Sequence, residues 1–301
     1  MAYHYRLCGW HLCSDLPVPE LLPWPEPEGV ARPADITLTE GEVPDTLEDN
    51  IGLNDFVKVD RKGTVLLNLA NVVRFVVAGG RDVTVQMLTD TGRASWRLYF
   101  LGIILQYICH QRGAYPQHAA SLCVGGRIVA LAGHRGDGKS TLAFELVRRG
   151  HRLLSDDLTV LRSQGDEIQV FPAFPRLRLW RETLDAVGVG NEGLSRVRPG
   201  MEKFTLRPQD GFDPTPVKLD TVVVIADRAE IELKRCSPMA AVPLLSPYVC
   251  RPKVARLLGR GPDLLRFTGR IAVQSPIYHL KRPKQFHGLA EVAAAIEGLC
   301  R

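Results

Sequence analysis

One segment of the chain has the residue types and spacing of an anion site, Gly133-His-Arg-Gly-Asp-Gly-Lys-Ser140. It meets the pattern G-x-x-x-x-G-K-[ST] through Gly133, Gly138, Lys139 and Ser140. Glycines let the backbone fold closely around phosphate oxygens, so that successive N–H groups point inward as donors. Lys139 would place a positive charge at the β and γ phosphates, Ser140 would offer a hydroxyl to Mg²⁺, and the N-terminus of the next helix would add to the field. Gly136 adds backbone freedom, and Asp137 and Thr141 complete the wrapping segment. His134 and Arg135 either help to neutralise phosphate or are solvated. The chemistry implied is binding of a nucleoside triphosphate, ATP or GTP, with Mg²⁺.

A second constellation follows in Gly150-His-Arg-Leu-Leu-Ser-Asp-Asp157. Of two adjacent carboxylates at a strand end, one can hold Mg²⁺ while the other accepts a proton from an attacking hydroxyl. A solvated turn is the alternative. His118 precedes two strands that lead into the loop, and a hairpin over 121–132 around Gly125-Gly126 would return it toward the loop. Arg176 and Arg178 alternate, so they share one side of a strand. They either clamp phosphate or a carboxylate, or they form a solvated face. Lys203 either swings over the nucleotide or lies on the surface.

These residues need elements to hold them. The run 127–132 reads as a buried strand, 133–138 as a glycine turn, and 139–149 as a helix burying Leu142, Ala143, Leu146 and Val147, closed by Gly150. Short strands are expected over 152–154, 158–161, 168–171, 221–226 and 231–234. One more is expected at 270–273 or 277–280, before a helix over 289–299. The stretch 188–216, rich in Gly, Pro and charge, reads as a mobile loop region. Upstream, short β-branched strands are expected over 36–39, 56–59, 64–68, 72–77 and 82–86. A helix over 95–111 carries an apolar stripe of Leu98, Leu101, Leu105 and Ile108. The proline-rich stretch 16–28 reads as an extended covering loop or as a docking ligand. The organisation expected is a β-rich N-terminal domain over 1–94, a bridging helix and linker over 95–114, and an α/β nucleotide-binding domain over 115–301.

At 301 residues and 45% hydrophobic, the chain can bury a full core. Its 38 basic and 33 acidic residues are spread out, which does not make a nucleic-acid footprint. Seven cysteines without a C-x-x-C pair argue against a zinc site or disulfide framework and fit a reducing compartment. The first ten residues lack a basic segment followed by a long apolar run, and the greasiest stretch, 98–109, falls short of a membrane span. A soluble cytoplasmic protein without membrane or nucleic-acid partners is expected.

The run from His118 through Gly133–Ser140 to Arg149-Gly-His-Arg-Leu-Leu-Ser-Asp-Asp157 resembles the catalytic core of the bacterial HPr kinase/phosphorylases. The resemblance implies an α/β fold with a P-loop kinase core similar to HPr kinase and phosphoenolpyruvate carboxykinase. It also implies Asp156 as general base assisted by His118, Lys139 in the catalytic set, and Asp157 joining Ser140 around Mg²⁺. Where that family has an acidic residue after the loop serine this chain has Thr141, and Arg198-Pro-Gly200 comes too early for the family's downstream motif, so phosphorylase activity is not expected. Tyr5-Arg-Leu-Cys-Gly9, Ser14-Asp-Leu-Pro17, Phe174-Pro-Arg-Leu-Arg-Leu-Trp180 and Ser275-Pro-Ile-Tyr-His-Leu280 are similar to kinase-like proteins encoded with lasso-peptide biosynthesis. That second resemblance implies transfer to a serine of a precursor peptide or small protein, and the first leaves a homo-oligomer open. A nucleotide-gated regulator and a small-molecule kinase are the rival readings.

Overall fold

In the computed structural model, residues 2–25, 33–52, 54–198, 200–208, 212–284, 286 and 288–301 are described. The chain forms two compact units, one of Met1–Pro116 with Cys250–Leu264, the other of Gln117–Val249 with Leu265–Arg301.

The first unit is built on an eight-stranded sheet. Its order is Leu22–Pro23, Tyr3–Leu7, Trp10–Ser14, Ile36–Glu40, Asp82–Met87, Val73–Ala78, Val65–Leu69 and Val57–Val59. The first hairpin turns through Cys8 and Gly9, both at positive φ (50° and 76°), as a two-residue turn matched to strand twist requires. Val73–Ala78 alternates buried and half-buried side chains, the pattern of a sheet with one covered face. Of the proline-rich stretch, Leu22–Pro23 makes a short edge strand, and 26–28 lies outside the described residues.

A helical segment follows in this unit, beginning at Asp90 rather than at 95. The Thr89 hydroxyl accepts from the Gly92 N–H at 3.3 Å and caps it. Gly92 is demanded by packing, because a Cβ there would overlap the Val72 carbonyl oxygen. Phe100–Ile104 is π-helical, and Leu105–Gln111 returns to α. The extra residue of the π turn rotates the apolar face. Trp96, Phe100, Ile104 and Tyr107 are therefore buried beside Leu101, Leu105 and Ile108, and Leu98 is only half-buried. The helix expected as a bridge lies inside the first unit, and Cys250–Leu264 joins it there.

The second unit has a six-stranded sheet in the order Arg152–Ser155, Ala119–Val124, Arg127–Ala132, Thr221–Asp227, Ile277–Arg282 and Glu232–Arg235. Arg127–Ala132, Thr221–Asp227 and Ile277–Arg282 run parallel, so their C-terminal ends share one edge. Ala119–Val124 pairs antiparallel with Arg127–Ala132 around Gly125 and Gly126, both at positive φ. Helices Lys139–Arg148 and Leu289–Gly298 cover the sheet, packing Leu142, Leu146, Val292 and Ile296 against Leu122, Leu131, Val223 and Leu280. Full burial of each such leucine contributes roughly 1.5–3 kcal/mol.

One expectation is corrected in this unit, and the choice left open between 270–273 and 277–280 for a strand falls to the second. The stretch 188–216 is not simply a loop, since Ser195–Arg196 and Lys203–Leu206 pair into a three-stranded sheet with Leu177–Trp180. Residues 270–273 lie in the helix Gly261–Gln274, and the last parallel strand is Ile277–Arg282. The fold is mixed α/β with several sheets. Among the described residues no helix is long and apolar enough to cross a membrane.

Candidate functional site

The glycine loop leaves the sheet where Arg127–Ala132 ends, at the edge shared by the three parallel strands. In open α/β sheets this is the edge where ligands bind. The loop closes on itself, with the His134 N–H donating to the Asp137 carboxylate and the Asp137 N–H to the His134 carbonyl at 3.2 Å. Gly136 and Gly138 sit at φ 93° and 83°, where a side chain would be strained. Gly138 is the N-cap of Lys139–Arg148 and supplies no side-chain cap, which leaves first-turn N–H groups facing outward as anion donors. The Lys139 ammonium is almost fully buried and donates to the carbonyls of Gly133 at 2.9 Å and His134 at 2.8 Å. Burial pulls its pKa down against the opposing pull of Asp157, Asp137 and Asp156.

The aspartates arrive on the adjacent strands. Arg152–Ser155 pairs with Ala119–Val124, with an irregularity at Ser121/Leu122, and Asp156 and Asp157 follow its end. Asp156 is 7% exposed; its carboxylate accepts from the Ser140 hydroxyl at 2.9 Å and from the Arg178 backbone N–H at 3.0 Å. Burial, reinforced by the charge of Asp157, pushes its pKa up to about 6, with the Arg178 and Ser140 hydrogen bonds and Lys203 acting the other way. Asp157 stands at φ 66°, left-handed backbone that a non-glycine residue adopts at some cost. Burial would raise its pKa too, but Lys203, Arg178, His118 and Arg176 outweigh this and hold it below the usual carboxylate range. The two carboxylates are thus pushed in opposite directions.

His118 Nδ1 lies 3.0 Å from the Asp157 carbonyl oxygen. A carbonyl only accepts, so this contact puts the proton on Nδ1 and leaves the Nε2 lone pair available in the neutral ring. Burial, then Lys139, depress the imidazole's pKa, and the Asp157 carbonyl and charge partly offset them. The backbone N–H of His118 is anchored on the Tyr248 carbonyl at 2.7 Å, and the Tyr248 ring meets His134 edge-on.

The structure therefore gathers Lys139, Ser140, Asp156, Asp157 and His118, with Arg178, Arg176 and Lys203 as surrounding charge. The direct partner of Ser140 is Asp156, while the carboxylate of Asp157 faces the Arg178 guanidinium at 3.8 Å. Thr141 points elsewhere, its hydroxyl 3.3 Å from that of Thr183. His134, Arg135 and Gly136 are exposed at the loop tip, and Asp137 turns inward to close the loop. Arg282 belongs to no motif of the sequence, yet its buried guanidinium lies against Gly138. The only local signal was its place at the end of an apolar strand, in the basic run Lys281-Arg-Pro-Lys284.

The oxygen donors of Ser140, Asp156 and Asp157 suit a hard cation of the Mg²⁺ kind, which takes one or two carboxylates and completes its shell with phosphates and water. Among the described residues no cluster of three or more His, Cys, Asp or Glu forms a protein-only metal cage.

No family model matches the chain. It is similar to several curated proteins named HPr kinase/phosphorylase. That of Chloroherpeton thalassium is 32% identical over 156 residues, covering 47% of this chain and 46% of the relative. That of Nitrosomonas europaea is 32% identical over 123 residues (40% and 35%), and that of an Exiguobacterium species 40% identical over 73 (24% and 22%). Among solved structures, the Hpr(Ser) kinase/phosphatase of Coxiella burnetii aligns with 61% of this chain and 87% of its own at 12% identity. The TM-score of that alignment is 0.33. The chain spans less than half the length of these curated relatives.

Proposed function

We propose that this chain is a Mg²⁺-dependent kinase that transfers the γ-phosphate of ATP or GTP to a serine hydroxyl of a peptide or small protein. The observation that carries the reading is the junction of loop and aspartates, where the Ser140 hydroxyl donates to a buried carboxylate poised at about 6. A carboxylate so poised is a better base than an ordinary one, and its ionised neighbour is a better cation partner.

The roles follow from that split. Backbone N–H groups of Gly133–Ser140 and the first helical turn hold the phosphates, and Lys139 neutralises the β and γ groups. Ser140 and Asp157 would hold Mg²⁺, and the cation would supply neutralisation of phosphate charge. The serine oxygen forms a bond to the γ phosphorus as the bond to the β–γ bridging oxygen breaks and the nucleoside diphosphate leaves. Asp156 takes the hydroxyl proton, with His118 Nε2 as an adjacent acceptor. Arg176, Arg178 and Lys203 offset the charge that accumulates around the transferring group. Similarity to the proteins named HPr kinase/phosphorylase supports the reaction class. As the acceptor we propose a serine of a precursor peptide, on the resemblance to proteins encoded with lasso-peptide machinery.

Release of nucleoside diphosphate, measured with and without a serine-ended peptide, tests the reading. Diphosphate formed in proportion to added peptide is the kinase result. Tight nucleotide binding without diphosphate release, with or without peptide, is the regulator result and would remove the proposal.

A further inference from the structure

Arg282 ends the last of the three parallel strands, so it leaves the sheet at the same edge as Gly133 and Asp227. Its side chain is 3% exposed. The guanidinium lies directly against the glycine loop, since a Cβ placed on Gly138 would come within 2.2 Å of Nη2 and 3.3 Å of Cζ. A guanidinium carries five N–H donors in a rigid plane and cannot shed its charge in a protein.

Among the described residues nothing accepts from those donors. Nε is buried without a hydrogen-bond partner, and among the described residues no hydrogen bond or ion pair completes the group. The two carboxylates close enough to act on it are Asp227 and Asp137. Asp137 is already engaged by the His134 N–H, and Asp227 by Lys284 at 3.3 Å. Burying a charge without hydrogen bonds works against folding stability. Sites that break such a rule are commonly those where function sets the requirement.

We infer that Arg282 is a phosphate-binding residue of the loop site, donating to oxygens of the nucleotide's phosphate chain from the side of Gly138. This rests on the reading of Gly133–Ser140 as a triphosphate loop and adds a second buried cation to Lys139. It also accounts for glycine at 138 in a way that backbone conformation alone does not, because any side chain there would occupy the space of the guanidinium.

The alternative is a structural prop for the loop, and the two differ in sign. Arg282→Met keeps length and apolar packing while deleting the charge. A ligand residue predicts a melting temperature equal to or above wild type, with affinity for ATP and for inorganic triphosphate lowered about 10- to 100-fold, the range of charge-assisted hydrogen bonds. Arg282→Lys, which keeps charge but not the fork, should recover part of the loss. Calorimetric titration of both probes, with thermal melts of each variant, reads this out. If Arg282→Met does not fold, Arg282→Gln serves, with the same fall expected. Triphosphate binding unchanged in the neutral variant overturns the inference, as does a lower melting temperature with affinity intact. Wild-type protein that binds neither probe overturns the inference together with the proposed function.

Discussion

Replacing Asp156 by Asn should stabilise the protein and disable it. The folded carboxyl has a pKa of about 6 against 3.8 for the free group, a difference of about two units. At 1.36 kcal/mol per unit, the ionised carboxylate costs the folded state about 3 kcal/mol once pH is above both values. The sign follows from proton binding. Between pH 3.8 and about 6 the folded state holds a proton that the unfolded state has lost, so stability falls as pH rises through this window. Asparagine fits the same volume. Its carbonyl can accept from the Arg178 N–H, and the Ser140 hydroxyl can rotate to accept from its amide, so no partner is stranded. Metal-free protein in chelator, unfolded in urea at pH values from 4 to 8, gives the comparison. The Asn variant should exceed wild type by up to about 3 kcal/mol at pH 8, with the gap closing toward pH 4. Phosphotransfer should fall by about 10²–10⁴, the usual worth of a general base. A variant no more stable at pH 8, or a gap independent of pH, would refute the burial argument. Wild-type phosphotransfer would refute the base.

Other outcomes follow from single contacts. Lys139→Ala removes the buried ammonium and should weaken triphosphate binding by about 2–5 kcal/mol, read by calorimetry. Gly136→Ala and Gly138→Ala both place a side chain at positive φ, costing about 1–2 kcal/mol. Only the latter also meets Arg282, whose guanidinium must then move, so Gly138→Ala should lose more triphosphate binding than Gly136→Ala, as titrations can check. In the first unit, burial holds His110 at about 4, against 6.5 when free. The stability this represents is present above pH 6.5 and is lost, by about 3 kcal/mol, as pH falls toward 4. His110→Gln, which can still donate to the Cys250 carbonyl, should flatten that slope in denaturant titrations. Thr89→Ala should cost about 1 kcal/mol through loss of the helix cap.

What could be read from the sequence was what is local in it. The loop, the strand Arg127–Ala132 before it and the helix Lys139–Arg148 after it are adjacent, and each has its own signal in glycine spacing or apolar period. The Gly125-Gly126 turn was legible for the same reason. Asp156, Asp157 and His118 could be picked out as residue types, but the contact of Ser140 with Asp156 depends on which strands lie side by side. The Arg178 N–H and Arg282 come from distant segments and carry no local mark of their role. The helix start at Asp90 was hidden by Gly92, which looks like a helix breaker but is there to admit the Val72 carbonyl. The π turn moved the apolar face off Leu98. Helices Pro238–Leu245 and Pro252–Leu257 were masked by prolines that sit in their first turns, where proline is tolerated, and by Pro243. Strand Lys203–Leu206 forms by pairing to the more distant Leu177–Trp180, and Ser195–Arg196 by pairing to Lys203–Leu206 in turn, against their own composition.

The most direct test of the central claim is the intact mass of a serine-ended peptide after incubation with this protein, ATP and Mg²⁺. The account expects one added phosphate on the serine, absent with a Ser→Ala peptide and absent when Lys139→Ala or Asp156→Asn protein is used. An unmodified peptide with wild-type protein shown to bind ATP, or equal phosphorylation by the Asp156→Asn protein, would contradict it.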